Sequence, residues 1–341
     1  MMMKQKILLL ASCIMAAMSS MAATRAAVVL LHNGTATTFD SNQLPDAMKA
    51  AAHGDTLYLS EGTFGVDTLL VDKVVTMIGA GQLTKVRGNI HVSIADNPHA
   101  SNYFFDGMWI TGDVKIAKEM RGLKIRKCKI EGTLWAAEDL KDLQADRCYI
   151  TTFLPSKQVK NASFVNCYIV NIGTSSTPDA YWAVGSTTSK GNDLIFLNCS
   201  IYSIIGCPTS YSSDRTISLQ DAGFINCHIK YIFLSYSSGN SCSFTNTLLS
   251  GDTSFLTGDI VQNCYIVNNA NDGAFWNSMY NDPEKLVAAG YLGLDGTAVG
   301  YLGGSTPYSL TPVGINVSES LLTVDTESKT LNVTLKVSAV K

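Results

Sequence analysis

The sequence predicts an all-β chain wound into a solenoid of parallel strands, and three observations carry that expectation. One short motif recurs at a near-constant period. The apolar runs around its copies are three to five residues long and alternate, with no 3.6-residue pattern. The 341 residues include 27 Gly and only 8 Pro, the composition of a turn-rich β chain rather than a helical one. With 46% hydrophobic and 16% charged residues, the chain can bury a sizeable core and lacks the composition of a disordered protein. Its 25 Lys and Arg against 28 Asp and Glu give a net charge of −3, which argues against a basic nucleic-acid-binding domain and against an acidic tail.

Residues 1–23 are set apart from the fold. Lys4 and Lys6 precede an apolar stretch from Ile7 to Met18 and small residues ending Ser20-Met21-Ala22-Ala23, the pattern of a secretory signal peptide. Its removal takes two lysines and shifts the charge from −3 to −5, and it predicts export to the periplasm, the outer surface or the extracellular space. A rival reading takes Leu10-Ala11-Ser12-Cys13 as a lipoprotein box that lipidates Cys13, leaving only Ile7 to Ala11 as apolar core. No later stretch reaches the roughly 18 apolar residues of a membrane helix.

The repeat itself is clearest in three segments. Phe164-Val165-Asn166-Cys167-Tyr168-Ile169, Phe196-Leu197-Asn198-Cys199-Ser200-Ile201 and Phe224-Ile225-Asn226-Cys227-His228-Ile229 share the order aromatic, aliphatic, Asn, Cys, any residue, Ile. Ile260-Val261-Gln262-Asn263-Cys264-Tyr265-Ile266 is a fourth copy, and weaker copies centre on Met108, Cys128, Cys148 and Thr247. The marker positions are separated by 20, 20, 19, 32, 28, 20 and 17 residues. Such a period is that of one solenoid coil, whose face is buried only by its neighbours. Stacking places equivalent residues about 4.8 Å apart, so a side chain that fits one level fits the next. Cys167 and Ile169 then face inward, Tyr168 faces out, and Asn166 takes the bend, where Asn tolerates a left-handed backbone. Stacked Asn166, Asn198, Asn226, Asn246 and Asn263 are expected to bond to one another as an amide ladder.

These residues resemble the right-handed parallel β-helix of the pectin-lyase-like superfamily, whose coils carry a similar aliphatic-x-Asn-x-x-Ile signature. Gly54 to Phe64 and Val74 to Gly81 look like its first coils, and Gln43 to Ala52 looks like its capping helix. The resemblance implies an N-terminal strand and capping helix over 24–56 and a parallel β-helix over 57–270. It says little of activity, because the superfamily includes lyases, hydrolases, adhesins and proteins without assigned activity.

The C-terminal part leaves the pattern. Asp282 to Gly290 reads as a short helix with an Asp N-cap, Pro at N1 and Gly past its end, within a cap over 271–312 that closes the solenoid. Leu321 to Asp325 and Thr330 to Ser338 alternate like two strands, a short β-hairpin tail over 313–341. This tail resembles the endings of exported proteins of gut-type Bacteroidetes.

Eight cysteines follow the leader. Six of them, Cys128, Cys148, Cys167, Cys199, Cys227 and Cys264, share the repeat position with Met and Thr, as a small buried hydrophobe does. Parallel Cβ vectors make disulfides between them poor in geometry, and isolated disulfides or thiol chemistry are the alternatives. Cys207 and Cys242 lie off the ladder and are the better disulfide suspects. The five histidines have no pair at zinc spacing, Gly79-Ala80-Gly81 lacks the third glycine of a dinucleotide loop, and no Gly-x-Ser-x-Gly is present. No cofactor or metal is expected.

Two functions compete. A β-helix lyase needs a base to take the proton α to a uronate carboxylate, and Lys115, Lys118, Arg121, Lys124, Arg126, Lys127 and Lys129 crowd one coil beside Glu138, Asp139, Asp142 and Asp146. Spacing stacks Arg126 beside Asp146 and Lys118 beside Glu138, so cross-coil ion pairs are the simpler reading. The Asn-Thr-Asp, paired-Asp and Gly-His-Gly motifs of polygalacturonase-like hydrolases are absent. The irregular spacings of 32 and 28 residues instead mark loops, 173–193 with Asp179, Tyr181 and Trp182, and 206–221 with Tyr211, Asp214 and Arg215. If both leave one corner they offer aromatic platforms for sugar rings. The reading favoured is an exported, non-catalytic β-helix that binds glycans of polysaccharides or of host or bacterial surfaces, or acts as an adhesin. A polysaccharide lyase acting on uronate-containing glycans is the alternative.

Overall fold

The computed structural model describes residues 26–93, 103–173, 190–205, 218–219, 222–233, 242–250, 260–267, 275, 279–308, 315–325 and 330–339. The repeats wind into a parallel β-solenoid, as the motif predicts. One sheet stacks Thr56–Leu59, Thr76–Ile78, Tyr103–Asp106, Leu123–Arg126, Gln144–Asp146, Val159–Val165, Lys190–Leu197, Gly223–Ile225, Ser243–Thr245 and Ile260–Gln262. The other stacks the strands that follow each of these, from Gly62–Val71 to Tyr265–Val267. Pairing between consecutive coils is parallel throughout both stacks.

What joins the two sheets is a bend in which one residue per coil is left-handed. Gly107, Lys127, Arg147, Asn166, Asn198, Asn226, Asn246 and Asn263 hold φ between 49° and 63°. Five of these eight are Asn and one is Gly, the residues that bear this conformation at least cost. Two backbone hydrogen bonds per coil bracket the bend. Asn166 N donates to Leu197 O in the next coil at 3.0 Å, and Tyr168 N donates to Cys148 O in the previous one at 2.9 Å. The same pair of bonds recurs along the corner, from Gly107 N with Arg126 O to Tyr265 N with Thr247 O.

The residue after the bend points into the core, and here the cysteines do more than fill space. The thiol of Cys199 donates to Phe164 O at 3.3 Å and to Leu197 O at 3.4 Å. Cys128, Cys148, Cys167 and Cys227 repeat this double contact with the carbonyls of their own and the previous coil. Thr247 makes it with its hydroxyl, to Phe224 O at 3.2 Å and Thr245 O at 2.9 Å. The position therefore selects a small side chain with a donor, which explains why Cys and Thr exchange there. All six ladder cysteines carry free thiols. Burial pushes the thiols of Cys128, Cys148, Cys167 and Cys199 far above their ordinary range, which makes them poor nucleophiles and poor metal ligands. Cys242 is buried, and Cys207 lies outside the described residues.

Flanking columns complete the core. Phe164, Phe196, Phe224 and Phe244 stack with centroids 4.8 to 5.0 Å apart and planes within 10°. Opposite them, Ile110, Ile130, Ile150, Ile169, Ile201 and Ile229 are fully buried. The N-terminal end is closed. Ala27–His32 pairs antiparallel with Thr56–Leu59 on one side and Thr35–Asp40 on the other, and the helix Leu44–Ala50 buries Leu44, Ala47 and Met48.

The C-terminal segment behaves differently from expectation. The helix Pro283–Ala288 forms as read, with the Asp282 side chain accepting from Lys285 N at 3.1 Å and Gly290 at φ 85°. It covers the flank of the solenoid instead of its end. Leu286, Ala298 and Val299 pack with Leu248 and Val267, and the chain then runs back along the asparagine corner. Asn263 Nδ2 donates to Leu292 O, Asn246 Oδ1 accepts from Leu294 N, and Asn198 Nδ2 donates to Gly303 O at 2.6 Å. Gly304 lies so close that a Cβ there would sit 2.3 Å from Asn226 Nδ2. The amide ladder is accordingly partial: Asn263 Nδ2 donates to Asn246 Oδ1 at 2.9 Å, while backbone groups of the returning segment bond to Asn198, Asn246 and Asn263. A second compact unit begins at Ser309 and contains the antiparallel pair Ile315–Asp325 and Thr330–Ala339.

The thiol contacts lead to a stability prediction. Thr and Val have the same shape and differ by a donor, so Cys199→Val should be less stable than Cys199→Thr by about 1 kcal/mol in urea unfolding. Equal midpoints would show that the thiol is only a filler.

Candidate functional site

The six residues singled out as binding candidates, Asp179, Tyr181, Trp182, Tyr211, Asp214 and Arg215, lie outside the described residues. Their points of departure and return are described. The strand Tyr168–Ile172 pairs with Ser200–Ile205, with Ile172 in register with Ile204, and Ser200–Ile205 pairs with His228–Phe233, with Ile205 in register with Phe233. On the far side, Lys190 is in register with Ser218. Residues 174–189 and 206–217 thus leave the second sheet from one corner, one coil apart, and rejoin at neighbouring positions. Adjacent coils hold these points about 4.8 Å apart.

Just before these exits the outer face of the second sheet carries a cluster that the motif reading did not pick out. Tyr202 is 42% exposed, its ring 5.2 Å from that of Tyr231, edge to face. The ammonium of Lys230 lies 5.2 Å and 5.3 Å from the two ring centroids. The spacing of the inward Ile201 and Ile204 was the available signal, because it leaves Tyr202 outward, with Ser203 beside it held by Val170 O. A half-exposed tyrosine beside a cation offers a ring face together with a donor for hydroxyls or carboxylates.

A second aromatic column on this sheet has its rings already occupied. Lys85, Trp109 and Lys129 are in register, and the two ammonium groups lie 3.9 Å and 4.2 Å from the indole centroid. Lysines from the coils before and after thus cover Trp109, and Lys129 also pairs with Glu131 at 2.8 Å. Glu131 is held below the usual carboxylate range by that bond. Lys115 covers Trp135 at 4.2 Å, and the Trp135 indole donates to Ser156 Oγ. Tyr149 and Tyr168 stack on each other at 5.4 Å.

On the face proposed for a lyase base, the two arginines are held in cross-coil ion pairs, whereas the expected pairing of Lys118 with Glu138 does not form. Arg126 is in register with both Asp106 and Asp146, as the spacing required for Asp146, but its guanidinium bonds to Asp106 in the preceding coil and covers Phe104. The bond to Asp106 raises the Arg126 pKa above its ordinary value, with burial opposing, so this residue holds its proton. Arg121 pairs with Asp142, and Lys141 with Glu119 at 3.5 Å. Among the described residues, no cluster of three His, Cys, Asp or Glu side chains is arranged to hold a metal. No helix among them is long and apolar enough to cross a membrane.

Comparison with protein-family models, with curated proteins and with solved structures finds no match to this chain.

One titratable group lies under the returning C-terminal segment. His228 is buried against Tyr280 at 5.0 Å and Tyr301 at 6.1 Å. Burial, helped by the charge of Lys230, takes its pKa from 6.5 down to about 3. An unfolded histidine takes its proton near pH 6.5 and the folded one near 3. The folded state is thus at full stability above pH 6.5 and loses it as pH falls through that window, by up to about 1.4 kcal/mol per unit. Urea unfolding from about pH 7 to about pH 4 should show a shallower loss for His228→Phe than for the parent chain. Parallel pH profiles would mean that His228 is not the group responsible.

Proposed function

We propose that this chain is an exported, non-catalytic β-helix protein, of the pectin-lyase-like kind in architecture, that binds glycans at a cell surface or outside the cell. One observation supports the binding reading most directly: the two long excursions that carry Tyr181, Trp182 and Tyr211 begin and end at in-register positions of adjacent coils. A rigid solenoid holds the roots of both excursions at fixed spacing, one coil apart. Tyr202 and Lys230 lie on the sheet face leading to that corner. Sugar rings stack on aromatic faces through their C–H groups, while Asp179, Asp214 and Arg215 supply partners for hydroxyls and carboxylates. Export rests on the leader, with removal at Ala22 or Ala23 favoured over lipidation at Cys13.

The lyase alternative asks for a base on the Arg126 face. An arginine held protonated by Asp106 is poorly suited to take a proton, and Arg121 is likewise engaged with Asp142 in the next coil.

The test applies residues 24–341 to immobilised plant, mucin and host polysaccharides, scoring retention and released product together. Retention without product is expected. Tyr181→Ala with Trp182→Ala should weaken it at least roughly tenfold, on the order of 1.4 kcal/mol, and Tyr202→Ala should weaken it less. An unsaturated product absorbing in the ultraviolet and lost in Arg126→Ala would replace this reading with the lyase. Neither retention nor product would leave protein adhesion as the role.

A further inference from the structure

We propose that the C-terminal segment 279–308 is an acid-released strap, with His228 beneath it as the group that takes the proton. His228 lies on the outer face of the second sheet, because its neighbours Cys227 and Ile229 are both in the core at 0% exposure. Its column runs in register through Tyr149, Tyr168, Ser200, His228 and Leu248. An outward position is buried only where something lies on it. Tyr149 is 36% exposed, whereas Ser200, His228 and Leu248 are 5%, 4% and 0% exposed. The change coincides with the returning segment: Tyr280 and Tyr301 lie against the imidazole, and Val299 packs with Leu248. Docking of the strap, rather than winding of the coils, thus sets the surroundings of His228.

The strap is held separately from the coils it covers. Leu286, Ala298 and Val299 pack with Leu248 and Val267 in a cluster apart from the main core. Its polar contacts are backbone bonds along the asparagine corner, such as Gly300 N to Asn246 O at 2.9 Å and Asn198 Nδ2 to Gly303 O. Neither kind of contact titrates in mild acid. Its carboxylates Asp282 and Asp295 bond to Lys285 and Thr297 within the segment, so their protonation does not act on the coils directly. Among the described residues, the titratable groups facing His228 are Lys230 on its own strand and the phenols of Tyr280 and Tyr301 on the strap, while the adjacent coils present Ser200 and Leu248. Phenols carry no charge in acid, and the charge of Lys230 adds to the cost of a second cation. Under the strap, burial takes the His228 pKa down to about 3. Lifted from it, the imidazole meets water and titrates near the ordinary value of 6.5. The docked pKa is the depressed one, so the strap is held fully above about pH 6.5 and loosens as pH falls below it. From about pH 7 to about pH 5 the lifting equilibrium shifts about 25-fold toward the open form, a local opening with the coils still wound.

Hydrogen exchange read by mass spectrometry on residues 24–341 tests this, with rates converted to protection factors so that the intrinsic pH dependence of exchange drops out. Protection of residues 291–304 is expected to fall about 25-fold from about pH 7 to about pH 5, while the coil peptides around Cys167 and Cys199 keep theirs. In His228→Phe, whose ring still packs against Tyr280 and Tyr301, the fall should disappear. His228→Leu serves if that variant misfolds, because Leu248 already occupies the next level of this column under the strap. A strap equally protected at both pH values would overturn the proposal. So would an equal fall in strap and coil peptides, which marks unfolding of the whole chain, or a fall that persists in the His228 variants.

Discussion

The left-handed bend at the asparagine corner is the constraint on which the rest of the molecule depends. A chain that turns between two sheets ordinarily gives up backbone hydrogen bonds at the turn, and a buried group left unpaired is costly. Here the bend residue donates forward to the next coil and the second residue after it donates back to the previous one, so backbone pairing between coils holds on both sides of the corner. From Gly107 onward every coil brings a residue with φ between 49° and 63° to the same height. Once it does, the columns on either side are in register, and the rings of Phe164, Phe196, Phe224 and Phe244 align as a consequence. Length variation must then fall elsewhere in the coil. That is why the two long spacings, 32 and 28 residues, begin after Ile172 and Ile205 rather than near the corner.

The same corner explains the cysteines. The carbonyls just before the bend point toward the inward side chain that follows it, and a thiol or hydroxyl there can reach two of them. Serial stacking puts thiols at most levels of the column, and burial holds those of Cys128, Cys148, Cys167 and Cys199 protonated. A protonated, inaccessible thiol exchanges slowly with disulfides. A column of free cysteines is therefore compatible with an oxidising compartment, the setting the leader predicts, without any disulfide in the ladder.

Much of this was legible from residue order, and the reasons differ by element. The motif around Cys167, Cys199 and Cys227 announced the coil because each residue type answers one requirement: a ring inward, a bend, a small donor, an inward aliphatic side chain. The helix Pro283–Ala288 was legible because its capping is local. Its location was not, because packing on Leu248 and Val267 depends on where coils far back in the chain place their outer faces. The pairing of Arg126 with Asp106 rather than Asp146 was equally hidden, since register offers both carboxylates and only side-chain packing over Phe104 chooses. Tyr202, Lys230 and Tyr231 were overlooked because the residues between Ile201 and Ile204, and between Ile229 and Ile232, read merely as outward; their proximity arises from two strands 28 residues apart. Tyr181 and Trp182 were singled out by spacing alone, and the structure describes only the roots that carry them.

The corner column also changes character along the axis, and the change has a physical cause. Its early positions are Gly107, Lys127 and Arg147; its later ones are all Asn. Lys127 and Arg147 accept the left-handed backbone at a cost that Asn largely avoids. Local conformation alone therefore does not explain why the residue type switches. The returning segment supplies the reason, since from Leu292 to Gly304 it lies along Asn263, Asn246, Asn226 and Asn198. A covered corner needs a short side chain with both a donor and an acceptor, able to satisfy backbone groups laid against it. A long cation would hold that backbone away and lose its own hydration. Asparagine meets the bend and the cover at once, and Gly304 meets it from the other side by having no Cβ to collide with Asn226. The asparagine half of the column thus records where the chain folds back on itself, and the half with Lys127 and Arg147 records where the corner remains in water.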